Sequence, residues 1–283
     1  VAEIQKVGVI GFGLMGGGIA QVCALAGYDT RVLDVDEERV ARGQATVRAR
    51  LERDVARARM TQDTCDRALA RISGTTRYED LGDRDLVIEA AVEDLSAKRT
   101  VFKRMGEVTQ SSAILASNTS SLPLSEMAAA SGRPEQVIGL HFFNPPYVLR
   151  LVEVVIPEST NQETINAAMV FCDTLNRVTV RVKDTPGFIV NRLLVPFIFD
   201  AIRLVETGTA SAQDVDQACR IGLNHAMGPL ATADLIGLDT LLYISESMFE
   251  EYGEPRFKAP TSLRRMVSLG HLGRKSGQGF FAA

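Results

Sequence analysis

The sequence predicts an α/β chain: a doubly wound, mostly parallel sheet over residues 1–186, then a smaller all-helical domain over 187–283. Three observations predict it. A β-branched run, Lys6–Ile10, leads directly into the glycine-rich Gly11-Phe12-Gly13-Leu14-Met15-Gly16 and a helix-forming stretch. Strand-like apolar runs then alternate with helical ones as far as Val182. Beyond Lys183-Asp184-Thr185-Pro186-Gly187 no convincing strand follows.

The elements follow in order. Lys6–Ile10 is short and β-branched, the pattern of a buried strand. The helix after the glycines runs to Ala26 and stops at Gly27, and Tyr28–Leu33 is a second strand ending at Asp34. Asp36 to about Arg59 is long, charged and free of proline, a helix with Asp36 near its N-cap, and Gln62–Ile72 is another. Asp85–Ala91 is a strand; Val92–Thr109 is a helix with Glu93 and Lys98 near its start. Ser112–Ala116 is a strand ending in the polar run Ser117–Ser121, and Val137–Leu140 is one ending in His141. Arg150–Ile156 alternates and extends, Asn161–Leu175 is helical, and Val178–Val182 completes a sheet with a mixed edge. In the second domain Phe188–Glu206 is a long apolar helix broken by Pro196, and 211–222, 234–252 and Ser262–Leu269 are further helices. Leu193, Leu194, Phe197 and Ile198 on the first of these form either core or a dimer interface.

Length and composition narrow the function. A chain of 283 residues fits about two domains of roughly 150 each. Its 46% apolar and 23% charged residues exclude a disordered or fibrous chain. With 31 basic against 35 acidic residues the net charge is −4, which argues against a nucleic-acid partner. No apolar run approaches the roughly 18 residues of a membrane span. Val1–Lys6 is too short and polar for a secretory core, so the expected location is the cytoplasm. Cys23, Cys65, Cys172 and Cys219 lie far apart without a C-x-x-C pair, so we expect small core residues in a reducing compartment rather than a disulfide scaffold. With three histidines and no cysteine cluster, no metal site is expected.

The glycine run has a physical task at each position. Gly11 permits a tight turn, Gly13 lets backbone approach a pyrophosphate, and Gly16 lets the helix pack on the strand. Leu14, Met15 and Gly16 open the helix, whose free N–H groups and partial positive charge suit an anion. Asp34 lies 23 residues after Gly11, near the spacing of about 20 expected for an acid that binds a ribose diol. Strand, glycines, helix, strand and acid in that order mark a Rossmann-like dinucleotide site. Asp36, Glu37 and Glu38 would repel a 2′-phosphate, which favours NAD over NADP, although Arg39 lies one helical turn on.

Among the three histidines only His141 falls at a strand end facing the cofactor edge, where it can accept a hydroxyl proton as an alcohol becomes a ketone. The imidazolium so formed needs a balancing acid. Glu153 supplies it: it follows the turn Asn144-Pro145-Pro146 and is an ionisable group within Leu151-Val152-Glu153-Val154-Val155. Arg50, Arg53 and Arg57 share one helix face, either a solvated surface or a basic strip for an anionic substrate tail.

These residues resemble the L-3-hydroxyacyl-CoA dehydrogenase family, most closely its short bacterial 3-hydroxybutyryl-CoA branch. The likeness runs nearly end to end. It rests on Gly11–Gly16, Val87-Ile88-Glu89-Ala90, Ser117-Asn118-Thr119-Ser120-Ser121-Leu122 and Gly139-Leu140-His141-Phe142-Phe143-Asn144-Pro145. It continues through Leu151–Val154, Asp184–Arg192, Met227-Gly228-Pro229-Leu230 and Gly273-Arg274-Lys275-Ser276-Gly277. The resemblance implies NAD-dependent oxidation of 3-hydroxyacyl-CoA to 3-ketoacyl-CoA and the reverse, with an acyl carrier protein thioester or free 3-hydroxy acid as the alternative substrate. It implies His141 as general base oriented by Glu153, with Ser120 bonding the substrate oxygen and Asn191 contributing from the helical domain. Glu93, Lys98, Asn118 and Asn144 would line the nicotinamide side, and Arg53 and Arg57 would meet the CoA tail. It also implies a homodimer through the helical domain. Phe12, Tyr147, Arg150 and Ala226 depart from the family pattern, which leaves the catalytic set intact but bears on the acyl substrate.

Overall fold

A computed structural model describes residues 4–281, in two compact units: one ends at Thr185, the other begins at Pro186. The first contains β1 (Lys6–Ile10), α1 (Leu14–Leu25), β2 (Asp29–Leu33), α2 (Glu37–Ala56), α3 (Gln62–Ala70) and β3 (Ile72–Thr75). It continues with β4 (Leu86–Glu89), α4 (Leu95–Val108), β5 (Ile114–Ser117), α5 (Leu124–Ser131), β6 (Val137–Phe142), β7 (Leu151–Ile156), α6 (Gln162–Thr174) and β8 (Val178–Lys183).

The eight strands form one sheet in the order β3-β2-β1-β4-β5-β6-β7-β8. Every pairing is parallel except β6 with β7. The chain runs outward from β1 to β3 and returns to β4 on the other side of β1. That reversal creates the crevice at the carboxyl ends of the strands where α/β proteins hold ligands. Residues such as Val7, Val9, Ile88, Ala116, Leu140 and Val154 build the core from the strands, and Ile19, Leu51 and Phe171 close it from the helices.

Two elements escape the sequence pattern. The run expected as helix to Ile72 ends at Ala70, and β3 begins at once; a four-residue strand containing Ser73 and Gly74 carries too little alternation to be seen. α5 is short and follows Pro123 directly, and only its left-handed Gly132 cap marks an end. α4 starts at Leu95 rather than Val92, because Asp94 caps it by accepting the Ala97 N–H. Glu93 therefore sits on the loop before the helix. His141 lies inside β6, which extends to Phe142.

The second unit holds α7 (Val190–Glu206), α8 (Ala212–Gly222), α9 (Pro229–Ile236), α10 (Leu238–Tyr252) and α11 (Thr261–Ser268). Val195, Ile198, Phe199, Ile202, Leu230, Leu241 and Met248 form its core. Ile198 is core, whereas Leu193 is 71% exposed. α7 continues through Pro196. The helix expected over 234–252 is two, because Gly237 takes φ +99° between α9 and α10. Three cysteines are buried as expected, but Cys219 on α8 is partly exposed. Among the described residues no helix is long and apolar enough to cross a membrane.

Candidate active site

The glycine turn has the geometry its sequence demands. Gly11 adopts φ +96°, and a Cβ there would lie 2.7 Å from the Ala90 carbonyl oxygen. A Cβ on Gly16 would lie 1.8 Å from the Gly11 carbonyl oxygen, so α1 packs on the turn only with glycine there. Gly13 differs: a Cβ there would meet nothing within 4 Å, so this face of the turn is open. Gly13 caps α1 without a side-chain hydrogen bond, and no acidic residue occupies the first turn with Leu14 and Met15. An open, acid-free helix N-terminus suits a pyrophosphate. Asp34, just past β2, accepts the Phe12 N–H at 2.7 Å and the Val35 N–H at 2.7 Å, which fixes its carboxylate beside the turn. Phe12 fills the hollow left by Gly43 on α2, where a Cβ would sit 2.2 Å from its ring.

Next to this turn, the ends of β4 and β5 carry a buried polar network. Glu93 Oε1 accepts the Thr119 hydroxyl at 2.6 Å, the Ser120 N–H at 2.8 Å and the Ser120 hydroxyl at 3.3 Å. Lys98, 1% exposed, bridges Glu93 Oε2 at 3.1 Å and Glu89 Oε1 at 2.6 Å. Burial works to raise the Glu93 carboxyl, but Lys98, the Thr119 hydroxyl and the Ser120 N–H outweigh it and hold the group below its ordinary value. Asn118 ties β5 to β6 by accepting the Phe142 N–H at 2.9 Å. Glu89, Ser117 and Thr119 were not singled out for a role from the sequence. Glu153 stands out as an ionisable group within an apolar strand, and Glu89, which closes the apolar Leu86-Val87-Ile88, stands out in the same way.

His141 and Glu153 meet where β6 and β7 run antiparallel. Imidazole Nδ1 lies 2.7 Å from Glu153 Oε2; the imidazole side chain is 8% exposed and the carboxylate fully buried. A carboxylate only accepts, so Nδ1 carries the hydrogen and Nε2 keeps its lone pair. The Phe143 ring packs against the imidazole with centroids 4.6 Å apart. This is a base with its orientation fixed and its positive form balanced.

The remaining candidates are placed differently. Arg50 leaves the predicted strip: it is buried, donates to Gln21 Oε1 at 3.0 Å and lies 4.3 Å over the Tyr147 ring. Its face turns inward because α2 packs against α1 there. Arg53 and Arg57, at the end of α2, are exposed. Asn144 is exposed, in the loop whose Pro146 packs against Gly18 of α1. Arg150 donates to the Asn176 carbonyl at 3.1 Å, a bond between loops outside the site. Asn191 belongs to the second unit, where it is buried in the first turn of α7.

Residues 6–185 match the family described as 3-hydroxyacyl-CoA dehydrogenase, NAD binding domain, and residues 187–283 match its C-terminal domain. The chain belongs to the 3-hydroxyacyl-CoA dehydrogenase family. It is 48% identical over 280 residues to the 3-hydroxybutyryl-CoA dehydrogenase of Mycobacterium tuberculosis, covering 98% of each chain. It is 40% identical to the mitochondrial hydroxyacyl-coenzyme A dehydrogenase of Rattus norvegicus, covering 98% of this chain and 91% of the relative. The crystal structure of (S)-3-hydroxybutyryl-CoA dehydrogenase PaaH1 from Ralstonia eutropha superposes with a TM-score of 0.95 at 40% identity, covering 99% of each chain. Membership of the 3-hydroxyacyl-CoA dehydrogenases makes this chain an NAD-dependent oxidoreductase. The open glycine turn and the acid at Asp34 fit that cofactor.

Proposed function

We propose that the chain interconverts (S)-3-hydroxyacyl-CoA thioesters, such as 3-hydroxybutyryl-CoA, and the corresponding 3-ketoacyl-CoA thioesters. The observation that carries this is the His141–Glu153 pair at the cofactor edge of the sheet. NAD, when bound, supplies the acceptor for the hydride leaving C3. His141 Nε2 takes the proton of the C3 hydroxyl, and Glu153 balances the imidazolium; in reduction the imidazolium returns that proton to the ketone. Ser120 hydrogen-bonds the substrate oxygen while Glu93 fixes its backbone. Gly11–Gly16 and Asp34 hold the pyrophosphate and ribose, and Glu93, Lys98, Asn118 and Asn144 line the nicotinamide side. The exposed Arg53 and Arg57 favour the phosphates of a CoA tail. On this reading Asn191 contacts the substrate as well, a role supported by the family resemblance.

We place the enzyme in the cytoplasm as a homodimer. Leu193, Leu204, Ile221 and Leu223, apolar and exposed on the second unit, support the dimer. The test is a panel of 3-ketoacyl substrates linked to CoA, to acyl carrier protein or free, assayed with NADH and NADPH. Fast oxidation of NADH by acetoacetyl-CoA supports the proposal. Turnover confined to a carrier-protein thioester or a free acid contradicts it.

A further inference from the structure

The network at the ends of β4 and β5 holds a charge that the proton chemistry above does not use. Glu89, the last residue of β4, is fully buried, and its contacts are all donors. Lys98 Nζ at 2.6 Å and the Ala91 N–H at 2.7 Å reach Oε1, and the Ser117 hydroxyl reaches Oε2 at 2.6 Å. A carboxylate has no hydrogen to give, and three converging donors suit it. Lys98 also faces Glu93, so one cation sits between two carboxylates. The cluster carries one negative charge in excess.

Sheet order puts this charge in one half of the cofactor crevice. Asp34 follows β2 on one side of β1, and the glycine turn follows β1 itself. β4 and β5 lie on the other side, between the turn and His141 on β6. A dinucleotide with its pyrophosphate at the turn and its adenosine toward Asp34 would have its pyridine half toward β4 and β5. The pyridine ring is a cation when oxidised and neutral once it has accepted hydride. Resting on the NAD-dependent reading above, we propose that Glu89 sets the preference of this site for oxidised over reduced cofactor, its buried negative charge favouring the pyridinium form. The charge is buried, so salt screens it weakly. Glu153, a further carboxylate at the sheet's ligand edge, is paired with His141.

The test is calorimetric titration of wild-type enzyme, Glu89→Gln and Glu89→Asp with NAD+ and with NADH at pH 7, without substrate. Glu89→Gln keeps the shape and removes the charge. It should raise the ratio of Kd for NAD+ to Kd for NADH by roughly five- to thirtyfold, the scale expected for losing one unit-charge attraction at an effective dielectric of about 20 to 40. Glu89→Asp, which keeps the charge and disturbs the geometry, should leave the ratio near wild type. Equal weakening of both forms in Glu89→Gln, or an equal shift of the ratio in Glu89→Asp, would make Glu89 a scaffold for the loop and overturn the proposal. If Glu89→Gln does not fold, Glu93→Gln takes one negative charge from the same cluster and must raise the ratio; an unchanged ratio there overturns the proposal too. Wild-type enzyme that binds neither form would instead defeat the NAD-dependent reading.

Discussion

His141 and Glu153 are directly opposed residues of the β6–β7 ladder, and their side chains meet at 2.7 Å on one face of the sheet. Register alone brings them together, since a slip of one residue would turn Glu153 to the other face. Glu153→Gln retains shape and burial but removes the charge that balances an imidazolium. Its kcat should fall by about 10² to 10⁴ with little change in KM, read from steady-state rates with acetoacetyl-CoA and NADH. An unchanged kcat would mean that the imidazole works without its carboxylate.

Gly13 and Gly16 separate folding from binding. A Cβ at position 13 touches nothing in the protein, so Gly13→Ala should unfold in urea at the wild-type midpoint yet bind NADH weakly. A Cβ at position 16 meets the Gly11 carbonyl oxygen at 1.8 Å, so Gly16→Ala should lower the midpoint itself, by about 1 to 3 kcal/mol of stability. Equal NADH affinity in wild type and Gly13→Ala would remove the turn from the pyrophosphate site.

Arg53 and Arg57 are exposed and near the end of α2. Their double replacement by Glu should raise KM for acetoacetyl-CoA and leave KM for a pantetheine thioester, which lacks the nucleotide phosphates, unaltered. The effect should fade as salt rises, because exposed charges are screened beyond about 10 Å at 0.1 M. An equal change in KM for both thioesters would assign the arginines to something other than the CoA phosphates.

Glu93 links the site to pH. Its carboxyl is held below its ordinary value of 4.5, so the folded state favours the ionised form more than the unfolded chain does. That contribution to stability is complete above 4.5 and is lost as pH falls through the depressed value. The stability difference between wild type and Glu93→Gln, measured by urea unfolding from pH 7 to pH 3, should therefore shrink on acidification. A difference that stays constant with pH would mean that Glu93 contributes no ionisation-linked stability.

The sheet was legible because its central strands β1, β4, β5 and β6 are buried on both faces and read as largely apolar runs, and because Gly11–Gly16 and Asp34 stand at fixed places along it. His141 and Glu153 were legible for the complementary reason: both are polar residues where the surrounding pattern is apolar. Arg50 was misread because helical spacing shows which residues share a face but not whether that face turns inward, and here Gln21 and Tyr147 receive it. β3 was hidden because four residues after a helix, Ser73 and Gly74 among them, hold no alternation. Glu89 was not singled out, although an acid closing an apolar strand is a signal; its tie to Lys98 spans nine positions and a loop, which no local pattern encodes.

Turnover of His141→Gln, measured beside its affinity for NADH, tests the proton-acceptor role most directly. Turnover should fall by at least about 10²-fold while NADH binds as in wild type. Near-full activity in that variant would show that another group takes the hydroxyl proton and that the imidazole is only a part of the scaffold.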